Sequence, residues 1–337
     1  DLTPHPATRE LAWVHRPVAV TFAPGSAAAF VVHNRRSHCS LSDLRGVAVL
    51  LVAGEPMHEE TLEISLAPLQ HETHEFSTAL QAAIAAAPAT ATMTMQFRWT
   101  HRADTAYAPA GHLVAWDELL LRASETKDLP PPLGADTKVI ADTNVSADPQ
   151  PADAIFTSMV RLALMRAPID NDGYKLMPGF GEANRIGGRA LARWQRQGIL
   201  ADTIPAGIQH VQQRQVHDDG SVTYQHRVVV PDSLAHLPRI GVRFALPSEF
   251  AHVRWFGRGP HENYPDRNSG AMRDVWAREP DELPYLVPQE FGLRTDCEWI
   301  ELVAPHSRVR IDALSPATLH FSAVHHTRCD WLHQTRA

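Results

Sequence analysis

The first 122 residues contain short runs in which hydrophobic and polar residues alternate. The clearest run is residues 93–99, where Met, Met, Phe and Trp occupy every second position. A period of two places these four side chains on one face of a β-strand. Further alternating or apolar runs bounded by turn residues occupy residues 28–33, 47–53, 61–66 and 112–122. Short strands at this spacing predict a β-sandwich of immunoglobulin type over residues 1–122.

Hydrophobic order is lost between residues 123 and 153. Three consecutive prolines, a glycine and a run rich in Asp, Ala and Pro predict a linker there. One helix is predicted at residues 189–197, because Gly198 provides a stop signal. Apolar runs typical of strands occupy residues 222–230, 240–246, 253–256, 299–303, 308–311 and 319–324. Residues 154–337 are therefore predicted to form a second, mostly antiparallel β domain.

Length and charge exclude several classes of protein. A chain of 337 residues can form two domains that each bury a core. The formal net charge is −7 and no basic block occurs, so we expect no nucleic-acid partner. No apolar run approaches the roughly 20 residues of a membrane-spanning helix, so no membrane partner is expected. The start has no methionine and no signal-like segment, which says nothing about localisation if the chain is an internal fragment. We expect a soluble protein, in the cytoplasm rather than the periplasm.

The cysteines and histidines do not predict a metal site. The three cysteines are widely separated and form neither a disulfide framework nor a Cys-x-x-Cys motif, so we expect buried free thiols: Cys39, Cys297 and Cys329. The closest histidine sets have no Cys or carboxylate partner at ligand spacing: His71 with His74, and His325 with His326. No metal and no cofactor are expected in this chain.

Residues 255–271 read WFGRGPHENYPDRNSGA, a composition that excludes a regular helix or strand. Gly257 and Gly259 permit backbone conformations that are closed to other residues. Pro260 and Pro265 fix φ and remove backbone donors. Several charged side chains can hydrogen-bond the exposed backbone groups. A long, shaped, polar loop at the end of an aromatic strand is typical of a site or an interface.

This loop also resembles a family signature. The pattern W-x-G-x-G-P-x-E-N-Y-x-D-R is similar to the C-terminal domain of the large bacterial β-galactosidases of glycoside hydrolase family 2. Two further blocks occur in the family's order, R-A-P-I-D-N-D at residues 166–172 and V-P-Q-E-F-G-L-R at residues 287–294. The positions that carry the signature are Arg166, Trp255, Glu262, Asn263, Tyr264, Asp266, Arg267, Glu290 and Arg294.

The resemblance implies a fold and an activity for a longer parent protein. The fold is all-β, an immunoglobulin-like sandwich followed by a galactose-mutarotase-like β-supersandwich that is incomplete at both ends of residues 154–337. The parent hydrolyses terminal β-D-galactosides such as lactose, with retention. Its catalytic residues, and its Mg and Na ions, belong to a (β/α)₈ domain of the same or a companion chain. No strand–helix alternation typical of that barrel occurs here. This chain then supplies scaffold and subunit contacts in a homo-oligomer, and no catalytic residue.

The segment after the R-A-P block is the candidate substrate loop. Residues 173–182 hold three glycines, a proline and two aromatic residues, a composition that suits a mobile lid with Gly173 and Gly179 as hinges. In the resembling family, the corresponding loop lies over the mouth of the active site. The resemblance carries this role to Glu182 and Arg185, whereas residues 174–180 do not match the family. The candidate substrate-loop residues are Asp170, Asn171, Asp172, Gly173, Tyr174, Phe180, Glu182 and Arg185.

Other interpretations remain open from the residues alone. Glycoside hydrolysis needs two carboxyl groups about 5 Å or about 6.5–9.5 Å apart, and Glu262 with Asp266, or Asp170 with Asp172, could supply them. Alternatively, these carboxylates cap turns and pair with arginines. The chain could also be the small subunit or a carbohydrate-binding module of a split β-galactosidase. A mutarotase-like epimerase would use His261 with Glu262 as acid and base.

Overall fold

The structure is a computed structural model that describes residues 4–124, 155–156, 158, 160–167, 169, 172, 190–199, 204–279, 291–314 and 318–325. The chain divides into two compact units. Unit 1 contains the described residues of 4–124, 251–279, 292–314 and 318–324, and unit 2 contains the others. Antiparallel strands dominate both units, which confirms the predicted all-β fold class.

Two antiparallel sheets form the first part of unit 1. Their strands are β1 (Val18–Phe22), β2 (Ala29–Asn34), β3 (Leu44–Val52), β4 (Glu55–Leu62), β5 (His71–Glu75), β6 (Met93–His101) and β7 (Leu113–Arg122). One sheet has the order β1-β2-β5 and the other the order β4-β3-β6-β7. Two helices accompany them, α1 (Pro6–Val14) and α2 (Thr78–Ala86).

The core of this sandwich lies between its two sheets. Phe30 and Val32 of one sheet pack with Met95, Phe97 and Trp99 of the other. The ring centroids of Phe30 and Phe97 are 4.8 Å apart. The prediction that this face of β6 points into the core is therefore correct. Burial of each such side chain stabilises the fold by about 1.5–3 kcal/mol.

Unit 2 contains two small sheets and one helix. Its strands are β8 (Arg161–Ala163), β9 (Gln209–Val216), β10 (Val222–Val229) and β11 (Gly241–Arg243), and its helix is α3 (Ala190–Arg196). Strand β8 pairs with β11, and β9 forms a hairpin with β10. Trp194 of α3 packs against Met165 and Ile199 and donates its indole N–H to the His236 carbonyl at 3.0 Å.

The remaining strands belong to unit 1. They are β12 (His252–Gly259), β13 (Met272–Arg278), β14 (Arg294–Cys297), β15 (Trp299–Val303), β16 (Arg308–Asp312) and β17 (Leu319–Phe321). They form a sheet of order β13-β12-β15-β16 and a pair β14-β17. Trp255, Cys297 and Ile300 are buried in their core, and the Trp255 and Phe321 ring centroids are 5.7 Å apart.

Strand β6 is buried on both faces, although its sequence alternates. Thr94 and Gln96, on the face opposite the sandwich core, are 1% and 0% exposed. The Gln96 amide donates to the Arg273 carbonyl of β13 at 2.6 Å, and Arg98 lies 3.5 Å from the Asp274 carboxylate. The later strands of unit 1 therefore cover the outer face of the sandwich sheet.

Three local expectations about secondary structure were wrong. The strand predicted at residues 61–66 ends at Leu62, and Ile64 and Leu66 are buried in an irregular segment. Neither α1 nor α2 was predicted among the strands of residues 1–122. Ser77 caps α2 by accepting a hydrogen bond from the Leu80 N–H at 3.0 Å, a serine signal that precedes an alanine-rich run.

The predicted thiols divide into one buried and one exposed group. Cys297 ends a buried strand and is 0% exposed, which confirms the expectation for that residue. Cys39 lies in the loop between β2 and β3 and is exposed, so the expectation was wrong there. Both are free thiols, and Cys329 lies outside the described residues. No helix in the described part of the chain is long and apolar enough to cross a lipid bilayer.

Candidate functional site

Residues 255–259 of the signature run belong to strand β12, so the expectation that this run excludes a regular strand was wrong there. Two glycines in this part allow strands to approach closely. A Cβ atom on Gly257 would lie 2.6 Å from the Cys297 Sγ and 2.7 Å from its Cα. A Cβ atom on Gly259 would lie 2.6 Å from the Trp276 ring. Real Cβ atoms do not tolerate such distances, so both positions require glycine for contact rather than for a turn.

Glu262 is the central carboxylate of the loop. Its side chain is 1% exposed. One oxygen accepts a hydrogen bond from the Arg267 guanidinium at 3.0 Å, and the other accepts from the Gly292 N–H at 2.7 Å. A buried carboxylate is stable as an ion only when it is paired and hydrogen-bonded in this way. Glu262 therefore ties the loop to the chain segment that enters β14.

Asn263 makes a second connection between the same two segments. Its backbone N–H donates to the Leu293 carbonyl at 2.9 Å. Its side-chain oxygen accepts from both the Thr295 N–H and the Thr295 hydroxyl, at 3.1 and 2.5 Å. The side-chain NH₂ donates to the His261 carbonyl at 2.9 Å and to the Arg258 carbonyl at 3.3 Å. These hydrogen bonds use the full capacity of the amide in holding the loop.

Asp266 occupies a different environment from Glu262. Tyr264 and Arg267 form a tight turn through reciprocal backbone hydrogen bonds, and the Arg267 guanidinium lies 5.4 Å from the Tyr264 ring centroid. Asp266 lies at the tip of this turn and is exposed. Glu262 and Asp266 are therefore one buried, ion-paired carboxylate and one solvated carboxylate.

Trp255 and Arg294 lie together beneath the loop. Trp255 is 0% exposed and donates its indole N–H to the Arg258 carbonyl at 3.0 Å. The Arg294 guanidinium lies 5.2 Å from the Trp255 ring centroid, an arrangement that stabilises a buried cation. Burial lowers the pKa of Arg294 to about 10, and the nearby Glu262 carboxylate opposes this shift. Trp255 and Phe256, which is 2% exposed, are core residues.

A buried polar cluster that the sequence analysis missed lies between β7, β13 and β14. A Glu118 oxygen accepts from the Arg273 N–H at 2.5 Å. Asp296 accepts from Arg258 at 2.6 Å and lies 3.6 Å from the Arg273 guanidinium. Burial raises the pKa of the Glu118 carboxyl, and Arg258 and Arg273 partly oppose the shift. Only tertiary contacts bring these residues together, so no local signal could have predicted the cluster.

The R-A-P block contains a clamp in unit 2. The Arg166 guanidinium donates to both oxygens of Asp172, at 2.6 and 3.0 Å, and the Ile169 N–H donates to Asp172 at 2.9 Å. Arg166 also lies 5.2 Å from the Trp194 ring centroid. Bidentate pairing fixes the orientation of both groups. Asp172 is thus a structural carboxylate in this geometry.

Several predicted residues lie outside the described part of the chain. These are Asp170, Asn171, Gly173, Tyr174, Phe180, Glu182, Arg185 and Glu290. Their assignment to a substrate loop or to the signature stays a prediction. His326 also lies outside the described residues. Among the residues that are described, no three His, Cys, Asp or Glu side chains are grouped as metal ligands.

Known protein families match the chain in two ranges. Residues 150–336 match the family described as the β-galactosidase small chain. Residues 30–122 match β-galactosidase domain 4. The first range covers more than half of the 337 residues and contains the R-A-P block, the signature loop and the V-P-Q-E block.

Individual relatives are β-galactosidases that are much longer than this chain. Those of Vibrio cholerae and Priestia megaterium are 27% and 25% identical over 90% and 91% of the chain, and the matches cover 33% and 32% of the relatives. That of Yersinia enterocolitica is 34% identical over 40% of the chain and 15% of the relative. The chain therefore spans about a third or less of the relatives it matches. These matches confirm the resemblance, and the chain belongs to the β-galactosidase small-chain family.

Proposed function

We propose that this chain is the non-catalytic C-terminal part of a family 2 β-galactosidase that hydrolyses terminal β-D-galactosides such as lactose. The observation that carries the proposal is the state of the signature carboxylates. Glu262 and Asp172 each hold an arginine and a backbone N–H. Their oxygens accept hydrogen bonds that hold the fold together. We therefore assign the hydrolysis of the galactoside to the part of the parent protein outside this chain.

The requirements of glycoside hydrolysis support this division. A retaining enzyme needs one protonated and one ionised carboxyl group about 5 Å apart, both directed at the scissile bond. An arginine partner and backbone donors stabilise the ionised form of a carboxylate. Glu262 could act as an acid only by giving up Arg267 and the Gly292 N–H. Its geometry favours a structural role over proton transfer.

The proposed role of the chain is to support a catalytic (β/α)₈ domain and to present a loop to it. The Arg166–Asp172 clamp stands immediately before the segment that the resemblance places over the active site. A loop that moves needs a fixed base. We assign that base to the clamp and the role of substrate loop to the segment that follows it, which includes Tyr174, Phe180 and Glu182 and lies outside the described residues.

Activity assays of the purified chain test the proposal. With a chromogenic β-galactoside, the 337-residue chain should give no turnover above a protein-free control. Joining the chain to the preceding part of its parent protein should give turnover. Glu262→Gln in that longer protein should lower the amount of folded enzyme and leave kcat per folded molecule within about twofold. Turnover by the chain alone that Glu262→Gln abolishes would place the active site within these residues.

A separate small subunit is the second candidate. The matching family is described as a small chain, which favours this arrangement. The long relatives favour a single fused polypeptide. A reading frame for a (β/α)₈ protein beside this one, instead of fused before it, would establish the split form. The epimerase interpretation gains no support, because Glu262 is already held by Arg267 and Gly292.

A further inference from the structure

A cavity of about 90 Å³ lies within unit 1, between α1, β7 and the loop that follows β12. Since about 10–15 Å³ of such space is enough to hold one water molecule, this volume holds several waters or one small ion. Its polar lining comes from two helix residues, Arg9 and Glu10, and from four loop residues, His261, Glu262, Asn263 and Arg267. Trp116 supplies an apolar wall.

The acidic groups of the cavity already have partners. A Glu10 oxygen accepts from the Gly270 N–H at 2.8 Å. Glu262 is held by Arg267 and by the Gly292 N–H. The Trp116 indole N–H donates to the Gly270 carbonyl at 2.7 Å. These contacts fix the walls of the cavity and neutralise the Arg267 charge.

Arg9 and His261 are the groups left for a ligand. Within the described residues of unit 1, neither the Arg9 guanidinium nor the His261 ring has a hydrogen-bonding or ion-pair partner. Burial, together with the positive charges of Arg9, Arg278 and Arg294, lowers the pKa of His261 to about 4. Three arginines therefore create a positive potential at a half-buried, neutral imidazole.

We propose that this cavity binds a small oxyanion, a sulfate-like or phosphate-like ion or a carboxylate, between the Arg9 guanidinium and the His261 ring. The guanidinium offers paired N–H donors that match two oxygens of either kind of anion. The imidazole of His261, on the loop after β12, supplies another donor. The site is independent of the galactoside chemistry, so its test does not depend on the proposed function.

The proposal predicts a pH dependence with a definite sign. An anion beside His261 favours the protonated ring, so bound ligand raises the pKa above its free value of about 4. Binding then takes up a proton, and affinity increases as the pH falls towards the free value. The charged groups facing this ring are Arg9, Glu10, Glu262, Arg267, Arg278 and Arg294. The four arginine charges outnumber the two carboxylate charges among them, so the net charge around the ring is positive.

Calorimetric titration of the 337-residue chain with sulfate and with acetate tests the site, in a buffer of constant ionic strength. Sulfate does not titrate near neutral pH, so it reports the protein's protonation directly. Arg9→Gln should weaken binding at least about fivefold, because a charge-assisted bidentate contact is lost. Arg45→Gln is the matched control: Arg45 is also an exposed arginine of unit 1. It should change affinity by less than about twofold.

His261→Gln tests the second contact. The wild-type chain should bind sulfate more tightly at about pH 5.5 than at about pH 7.5, and this variant should lose most of that difference. Should His261→Gln fail to fold, the pH dependence of sulfate affinity is measured in the wild type and in Arg9→Gln. Both retain the imidazole, so both should bind sulfate more tightly at the lower pH. Saturable binding of either anion that Arg9→Gln weakens and Arg45→Gln does not supports the proposal, and the tighter anion identifies the ligand. No saturable binding, or equal weakening by both arginine variants, overturns it.

Discussion

Glu262 of unit 1 and Asp172 of unit 2 use the same contacts over different lengths of chain. Each carboxylate accepts from an arginine side chain and from a backbone N–H. Asp172 reaches only to Ile169 and Arg166, within six residues. Glu262 reaches Gly292, thirty residues away, and joins a loop to the entry of another strand. The comparison teaches that the contribution of a buried, arginine-paired carboxylate to stability depends on which segments of the chain it connects.

The largest expected effect comes from breaking the long connection. Glu262→Ala should lower the free energy of unfolding by about 3 kcal/mol, because it leaves Arg267 and the Gly292 N–H without their acceptor in a buried site. Urea unfolding followed by tryptophan fluorescence measures this. Asp266→Ala, at an exposed carboxylate four residues away, is the control and should change stability by less than about 0.5 kcal/mol. Equal effects of the two variants would contradict the structural role of Glu262.

Breaking the local clamp should have a smaller effect. Asp172→Ala should cost about 1 kcal/mol, because the contacts it removes hold one short loop and release no distant strand. Amide hydrogen exchange sharpens the comparison, since the Ile169 N–H loses its acceptor and should exchange faster. Glu249→Ala, an exposed carboxylate of unit 2, is the control. If Asp172→Ala destabilises the chain as much as Glu262→Ala does, the sequence separation between the connected residues does not determine how much each carboxylate stabilises the fold.

The smallest expected effect concerns a third buried carboxylate, Glu118, whose pKa burial raises. The folded chain holds this proton more tightly than the unfolded chain does. The stabilising contribution is therefore complete below the unfolded pKa of about 4.3 and is lost as the pH rises through the higher folded value. Glu118→Gln cannot titrate, so the free energy of unfolding should depend less steeply on pH above about 4.3.

Urea unfolding at several pH values between about 4.5 and 7 measures this slope. Glu249→Gln removes the same charge from an exposed site and should leave the slope as in the wild type. An unchanged slope in Glu118→Gln would show that Arg258 and Arg273 offset burial, so that folding does not raise the pKa of this carboxyl.

Local sequence predicted many strands well because their pattern depends on one face at a time. Residues 299–303 were predicted as a strand and form β15 with those bounds. The burial of Gln96 was not predictable, because Arg273 covers it from 177 positions away. The helix α2 could have been found from Ser77, whose side chain caps it. The strand predicted at residues 61–66 failed because an alternating pattern records burial and not backbone pairing.

The candidate site divides in the same way. The composition of residues 255–271 correctly predicted a polar loop after Gly259, but it wrongly excluded a strand at residues 255–259, which belong to β12. It also could not identify Gly292, Leu293 and Thr295 as the groups that the loop binds. The carboxylates Glu262 and Asp266 are similar in the sequence, and only the structure separates a buried residue from an exposed one.

By itself, the amino-acid sequence determined the all-β class, the positions of most strands and the family to which the chain belongs. Those features depend on periodicity and on short blocks of residues, which are local properties. Only the tertiary structure decided which carboxylates are held by arginines, which face of β6 is covered, and that Arg9 and His261 share a cavity. The physical reason is that burial and charge pairing depend on neighbours in space, and here those neighbours lie from five to more than two hundred residues apart in the chain.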